Sequence, residues 1–98
     1  MHYTILMNRF LIEVQHEANK QACDRAITTF LTKGYHFFTN ADWGCADGEH
    51  KAWIIVDLET KEEAMRIIPP EYRNQAKVVR LERFSMEDVD QTLTAHHG

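Results

Sequence analysis

The feature that most constrains the fold of this chain is an Asp-Gly pair between two strand-like segments. Asp47 and Gly48 separate residues 35–45 from residues 50–58, and both segments are rich in aromatic and β-branched residues. Asp-Gly is a strong hairpin signal because both central residues of a type I′ turn take a positive φ. The sequence therefore predicts two antiparallel strands joined at this turn.

The turn also predicts which residues share each face of the hairpin. A two-residue turn at this point pairs Asp42 with Trp53, and alternation then assigns every other residue to the same face. The face expected to enter the core holds Phe37, Thr39, Ala41, Trp43, Ala52, Ile54, Val56 and Leu58. The open face is expected to hold His36, Phe38, Asn40, Asp42, Trp53, Ile55, Asp57 and Glu59.

The remaining segments place the hairpin within a longer order of elements. Before the hairpin come a strand at 3–7, an apolar stretch at 10–14 that is either a strand extension or a packed loop, and a helix at 16–33 closed by Gly34. After the hairpin come a short helix from the Thr60–Glu63 capping box to Pro69, a strand at 76–84, and a last helix from Ser85. This order predicts one α+β domain over residues 1–98. Its plan is ferredoxin-like, βαββαβ with a C-terminal helix: a four-stranded antiparallel sheet with two helices on one face.

The first and fourth strands extend the open face. Alternation sends Tyr3, Ile5, Met7, Val79 and Leu81 to the core, and Thr4, Leu6, Asn8, Val78, Arg80, Glu82 and Phe84 to the open face. The open face then carries more apolar area than a monomer usually leaves in water. It also carries acids that are costly to bury without partners. We therefore expect two such sheets to face each other in a homodimer and to enclose a half-wet cavity.

Three segments carry a resemblance to a known family. Residues 50–57 (HKAWIIVD), 60–64 (TKEEA) and 78–81 (VVRL), in this element order and chain length, resemble one of the small uncharacterised bacterial families of the dimeric α+β barrel superfamily. That superfamily includes cofactor-independent monooxygenases of the antibiotic-biosynthesis type, muconolactone isomerases and haem-degrading enzymes. The resemblance implies paired sheets and a shared barrel, and it assigns no residue as catalytic.

The open face supplies the candidate site residues. The ligand-binding candidates are Phe38, Asn40, Asp42, Trp53 and Arg80. His36 and Asp57 are a candidate acid and base, because an imidazole beside a carboxylate titrates near neutrality. We expect the cavity to take a small aromatic or flat apolar compound. With the resemblance, this suggests a protein similar to a cofactor-independent monooxygenase or isomerase.

Two other interpretations use the same surface. Trp53 is equally suited to anchor a dimer interface, in which case the protein is a non-catalytic regulatory or interaction module. Residues 51–58 also align loosely with the strand-three signature of the RNA-recognition motif, where aromatic residues stack on bases. Ile55 stands where a second stacking aromatic is needed, and the acids of this face would repel phosphate. We therefore expect no nucleic-acid partner.

Composition narrows the function classes further. There are 11 Lys+Arg residues against 15 Asp+Glu, a net charge of −4, which disfavours binding to nucleic acid or anionic lipid through bulk charge. The longest apolar run, residues 53–56, is far below the roughly 20 residues that span a bilayer. Cys23 and Cys45 have no CxxC spacing, so we expect unpaired buried thiols and a cytoplasmic location. Cys45 and His50 face each other near the hairpin tip, but two ligands do not make a zinc site, so no metal and no cofactor are expected.

Overall fold

The computed structural model describes residues 7–33 and 36–88, and it describes residues 36 and 37 by their backbone alone. Its elements are β1 Asn8–Gln15, α1 Lys20–Lys33, β2 Asp42–Trp43, β3 Lys51–Leu58, α2 Lys61–Arg66 and β4 Ala76–Leu81, with 3-10 turns at His36–Asn40, Cys45–Asp47 and Pro70–Gln75. The four strands form one sheet in the order β2-β3-β1-β4, and each neighbouring pair is antiparallel. The predicted α+β class, with a four-stranded antiparallel sheet, is confirmed.

β1 lies later in the chain than predicted. We expected a strand at 3–7, of which residues 3–6 lie outside the described part of the chain. Met7, assigned to the core, is exposed. The ambiguous stretch 10–14 is instead the middle of β1, because its alternation buries three large side chains on one side of the sheet. These are Phe10, Ile12 and Val14.

α1 begins later than predicted because Asn19 caps it. The Asn19 Oδ1 accepts a hydrogen bond from the Ala22 backbone N–H at 2.7 Å, which satisfies one of the donors that a helix N-terminus leaves free. The helix ends at Lys33, as expected. Its buried residues are Ala22, Cys23, Ala26 and Phe30. Leu31, which follows Phe30, is exposed.

β2 is much shorter than predicted, but its register is right. Only Asp42–Trp43 pairs with β3, and Asp42 lies opposite Trp53. The connection is longer than a two-residue turn. It contains the 3-10 turn at Cys45–Asp47, and among the described residues only Gly48 has a positive φ, of 81°. A type I′ turn needs two such residues, which explains why the tight hairpin does not form.

The 3-10 turn at His36–Asn40 moves Phe38 from the open face to the core. Phe38 is 1% exposed, and its ring centroid lies 4.9 Å from that of Phe30 on α1. A strand through this segment would have alternated, whereas the turn points Phe38 inward and leaves Thr39, expected in the core, exposed. Phe38 is therefore a core packing residue, and its predicted place on the open face is wrong.

The faces of β4 are the reverse of those predicted. Val78 lies opposite Ile12 and is buried, while Val79 lies opposite Leu11 on the open face. Alternation fixes only which residues share a face, and two adjacent valines do not show which one points inward. Arg80, opposite Phe10, is consequently on the helix side of the sheet instead of the open face.

The short helix and the C-terminal cap follow the sequence signals. Thr60 Oγ1 accepts a hydrogen bond from the Glu63 backbone N–H at 3.1 Å, as the capping box predicts. Ser85 Oγ accepts one from the Asp88 backbone N–H, also at 3.1 Å. Of the predicted last helix, the structure describes residues 86–88. None of the helices in the described segments has the length and apolar character needed to cross a bilayer.

Candidate functional site

The Trp53 indole is held in place on the open face by Glu13. Across the sheet, one row of this face runs from Asp42 on β2 through Trp53 and Glu13 to Lys77 on β4. The Trp53 Nε1–H donates to Glu13 Oε1 at 3.0 Å. Lys51 Nζ lies 3.8 Å from the same oxygen, and both of these charged side chains are largely buried. The ring therefore has a fixed orientation, which a ligand platform needs.

A groove of about 290 Å³ lies beside this ring. It is lined by Leu11, Asn40, Asp42, Trp53, Ile54 and Ile55. Leu11, Ile55 and the indole supply apolar surface, while the Asn40 amide and the Asp42 carboxylate stand exposed at the rim. Apolar walls with a few polar groups are typical of small-molecule sites.

The structure brings together three of the five predicted ligand-binding residues. Asn40, Asp42 and Trp53 line the groove. Phe38 lies in the core, as described above. Arg80 lies on β4, the edge strand farthest from β2, and it pairs with Glu82 at 2.7 Å. Neither Phe38 nor Arg80 belongs to this groove.

The candidate acid and base, His36 and Asp57, do not lie on neighbouring strands of the sheet. His36 belongs to the 3-10 turn and not to β2, so the predicted strand that would have placed it beside β3 does not exist at this point. Asp57 is exposed on the open face, and its neighbour across the sheet is Arg9 on β1. The fold therefore gives no support for a proton relay between them.

A second cluster of reactive side chains lies at the other end of the hairpin. Cys23 on α1 and Cys45 in the turn after β2 form a disulfide. The expectation of unpaired thiols is therefore wrong, because α1 begins above the hairpin tip and directs its first turn at Cys45. The cytoplasmic location inferred from free thiols stays a prediction.

Two histidines adjoin the disulfide. His16 Nε2 lies 3.1 Å from Cys45 Sγ, and the His16 side chain is 6% exposed. The His16 backbone N–H donates to the His50 carbonyl at 3.0 Å, and the two ring centroids are 5.8 Å apart. Nδ1 of each ring is buried and has no hydrogen-bond partner among the described residues. Buried polar atoms of this kind are uncommon in folded proteins and call for an explanation.

Burial lowers the pKa of His16 below its usual value, and the nearby charge of His50 lowers it further. Both effects favour the neutral imidazole. A neutral ring keeps one nitrogen without a proton, and this is the form in which histidine accepts hydrogen bonds or binds a metal. Three potential ligand atoms, from His16, Cys23 and Cys45, lie within 4.8 Å of one another.

Sequence reasoning found only half of this cluster. It placed Cys45 and His50 together near the hairpin tip, and it expected the burial of Cys23 that the structure has, but it put His16 inside a helix and gave Cys23 no partner. The missing signal was the end of β1, since a strand that ends at Gln15 places His16 beside His50. Comparison of the chain with protein-family models, with curated proteins and with solved structures found no match.

Proposed function

We propose that this protein is a homodimeric small-molecule-binding protein, with its ligand in the groove beside Trp53. The observation that carries the proposal is a groove with apolar walls and a carboxylate at its rim, on a sheet face that no described helix covers. Glu13 fixes the indole of Trp53, so this side chain loses little further conformational entropy when a ligand binds. A cofactor-independent oxygenase or isomerase is the enzymatic form of this proposal.

The strand order supports a ferredoxin-like plan. Read from the β4 edge, the order is β4-β1-β3-β2, as expected when both crossover helices of a βαββαβ chain lie on one face. The core supports the same inference, because Ala26 of α1 and Ala64 of α2 belong to the cluster that contains Ile12. This plan leaves the opposite face open, as in the dimeric α+β barrel proteins that the sequence resembles.

Self-complementary charge supports a second copy as the cover for this face. Its apolar surface includes Ile55, which is 55% exposed, and the half-buried Leu11, Val79 and Leu81. Around it lie three bases and three acids: Arg9, Lys51 and Lys77, and Glu13, Asp42 and Asp57. A two-fold dimer presents the same patch from both sides, so an equal mixture of charges can pair across it.

The rim chemistry favours an aromatic cation as ligand. Asp42 offers a carboxylate, and Trp53 offers the face of an indole ring. A protonated amine on a flat ring satisfies both, through an ion pair with the carboxylate and through stacking or cation–π contact with the indole. A carboxylate on the same ring would meet Asp42 with a like charge. The groove should therefore distinguish ligands by the sign of their charge.

Two probes with the same ring and opposite charge test the proposal. The indole N–H resonance of Trp53, assigned with Trp53→Phe, is followed by NMR during titration with tryptamine and, separately, with indole-3-acetate. We expect a saturable shift with tryptamine and binding at least several-fold weaker for indole-3-acetate. Asp42→Asn should reduce this preference. Asp24→Asn on α1, which removes the same charge far from the groove, should leave it unchanged.

The outcomes separate the candidate functions. Equal shifts with both probes would contradict the proposal. A Trp53 resonance that changes neither with the probes nor with protein dilution would also contradict it. A resonance that responds to dilution but to neither probe would instead indicate that Trp53 only anchors the dimer. That result would favour a non-catalytic interaction module, for which the exposed Ile55 is the supporting observation.

A further inference from the structure

We propose that the reduced protein binds a Zn²⁺ ion through the imidazole of His16 and the thiolates of Cys23 and Cys45, with His50 beside them to complete the coordination. This site is separate from the groove beside Trp53 and does not depend on the function proposed for it.

Four segments of the fold converge at the proposed site. His16 follows β1, Cys23 lies in the first turns of α1, Cys45 lies in the turn after β2, and His50 directly precedes β3. The backbone hydrogen bond from His16 to His50 fixes the ends of the two central strands side by side. The donor set is thus held by the tertiary fold as a whole, as in a structural metal site.

The distances suit one small ion. The ligand atoms of His16, Cys23 and Cys45 all lie within 4.8 Å of one another, and His16 Nε2 is 3.1 Å from Cys45 Sγ. Zinc bonds of about 2.3 Å to sulfur and about 2.0 Å to nitrogen place tetrahedral ligands roughly 3.3 to 3.8 Å apart. Rotations of short side chains are enough to reach that geometry once the sulfurs are separate.

The two histidines offer their ring nitrogens differently. Nε2 of the almost fully buried His16 faces Cys45 Sγ and is the atom placed to bind the ion, whereas its Nδ1 lies on the other side of the ring. Nδ1 of His50 is buried, and the described residues provide no hydrogen bond to it, so binding a metal or donating to a water beside one would satisfy it. Two thiolates and two neutral imidazoles would also cancel the charge of Zn²⁺, which removes the main cost of burying the ion.

The disulfide makes the site dependent on reduction. A dithiol reductant transfers two electrons and two protons: its own thiols join as a disulfide, the Cys23–Cys45 bond opens, and each sulfur gains one proton. Zn²⁺ then displaces both thiol protons to solvent and binds the thiolates. The oxidised and metal-bound forms therefore exclude each other, and either one ties α1 to the hairpin tip.

A small cavity gives the ion a path to His16. It has a volume of about 100 Å³ and is lined by His16, Glu17, Ala22, Arg25, Tyr72 and Gln75. It borders the imidazole from the side of α1 and the last 3-10 turn. Glu17 and Arg25 place one acid and one base near this opening, so these two residues give it no net positive charge that would repel a cation.

The test uses Co²⁺ as a spectroscopic substitute for Zn²⁺. The full chain is reduced with a phosphine, which does not compete as a thiol ligand, and is titrated with Co²⁺ without oxygen. We expect a thiolate-to-cobalt charge-transfer band and the intense visible bands of tetrahedral Co²⁺, saturating at one ion per chain. Adding one equivalent of Zn²⁺ should abolish both bands. The oxidised protein should show neither band.

Matched variants assign the ligands. Cys45→Ser should weaken binding by more than the about 10- to 100-fold that loss of an outer-shell partner costs. Cys45 is half-buried in a turn, so this change is milder for the fold than one at the buried Cys23. The double variant His96→Ala/His97→Ala removes the adjacent histidines near the C-terminus and should leave the titration unchanged.

Three results would overturn the proposal. One is a reduced wild-type protein that gives no thiolate-to-cobalt band at micromolar concentration. The others are bands that persist in the oxidised protein, and bands that folded Cys45→Ser gives with the same affinity as the reduced wild type. If circular dichroism shows that Cys45→Ser is unfolded, His16→Gln takes its place, and the comparison of reduced with oxidised wild type needs no variant at all.

Discussion

Gly44 lies where the hairpin leaves no room for a side chain. A Cβ on Gly44 would lie 2.7 Å from the Glu49 carbonyl oxygen and 2.7 Å from Cζ3 of Trp53. The carbonyl belongs to the backbone of the turn, so it cannot move aside as a flexible side chain would. The absence of a side chain at residue 44 is what allows the indole to lie against the turn.

Gly44→Ala should therefore destabilise the protein. We expect a loss of about 1 to 3 kcal/mol in the free energy of unfolding, the usual cost of overpacking, measured by urea denaturation. The tryptophan emission should shift as well, because the Trp53 ring must be displaced. Gly48→Asn is the control: it alters the other turn glycine, but asparagine tolerates a positive φ and nothing lies within 4 Å of that Cβ. Equal losses for the two variants would show that close packing at Gly44 is not the cause.

At the scale of single elements, β4 shows what a sequence pattern leaves undetermined. Its alternation is regular, yet the side chains packed in the core are Val78 and Ala76, on the opposite face of the strand from the one predicted. The pairing of Val78 with Ile12 of β1 determines which face of β4 packs in the core. This contact joins distant parts of the sequence, so the pattern of either strand alone does not encode it.

The two valines make a matched pair for testing this assignment. Val78→Ala removes methyl groups from the core and should cost about 1 to 3 kcal/mol of unfolding free energy. Val79→Ala loses the same atoms and the same strand propensity from the open face, and at low protein concentration it should cost less than about 1 kcal/mol. Thermal or urea unfolding of both variants gives the comparison. A larger loss for Val79→Ala would mean that the faces are reversed.

Local signals predicted the elements better than the places where they begin. The Thr60 cap, the β2–β3 register and the alternation of β3 are short-range features, and the structure has all three. Residues 3–7 and 10–14 both alternate, and only the packing of Phe10, Ile12 and Val14 shows that the second stretch belongs to β1. Only part of the candidate groove could be predicted from the sequence, namely the part that depends on the alternation of β3. The disulfide required knowledge of where α1 lies over the hairpin, which no local pattern contains.

At the scale of the whole molecule, the described helices cover the sheet on one side only. The core lies between the helices and the face that contains Phe10, Ile12 and Ile54. A chain of 98 residues has a modest core, because small domains bury a smaller fraction of their surface than large ones. Pairing of two open faces would add buried apolar area that a single copy lacks.

Two exposed aliphatic residues test this pairing. Ile55 on the open face and Leu31 on α1 are both 55% exposed. Ile55→Glu should convert the dimer to monomers in sedimentation experiments at micromolar concentration, because it places a charge at the centre of the interface. Leu31→Glu should leave the dimer intact. A wild-type protein that is monomeric, or a Leu31→Glu variant that dissociates equally, would contradict a dimer through the open face.

The close packing at Gly44 also links the redox chemistry of the disulfide to ligand binding in the groove beside Trp53. Cys45 follows Gly44 in the chain. A change in the bonding partner of the Cys45 sulfur therefore alters the conformation of the turn that supports the indole of Trp53. Thermodynamic linkage is reciprocal: if opening the disulfide alters the affinity of the groove by some factor, a bound ligand alters the equilibrium between thiol and disulfide by that same factor. Trp53 emission would then report the oxidation state of a bond that the ring does not touch.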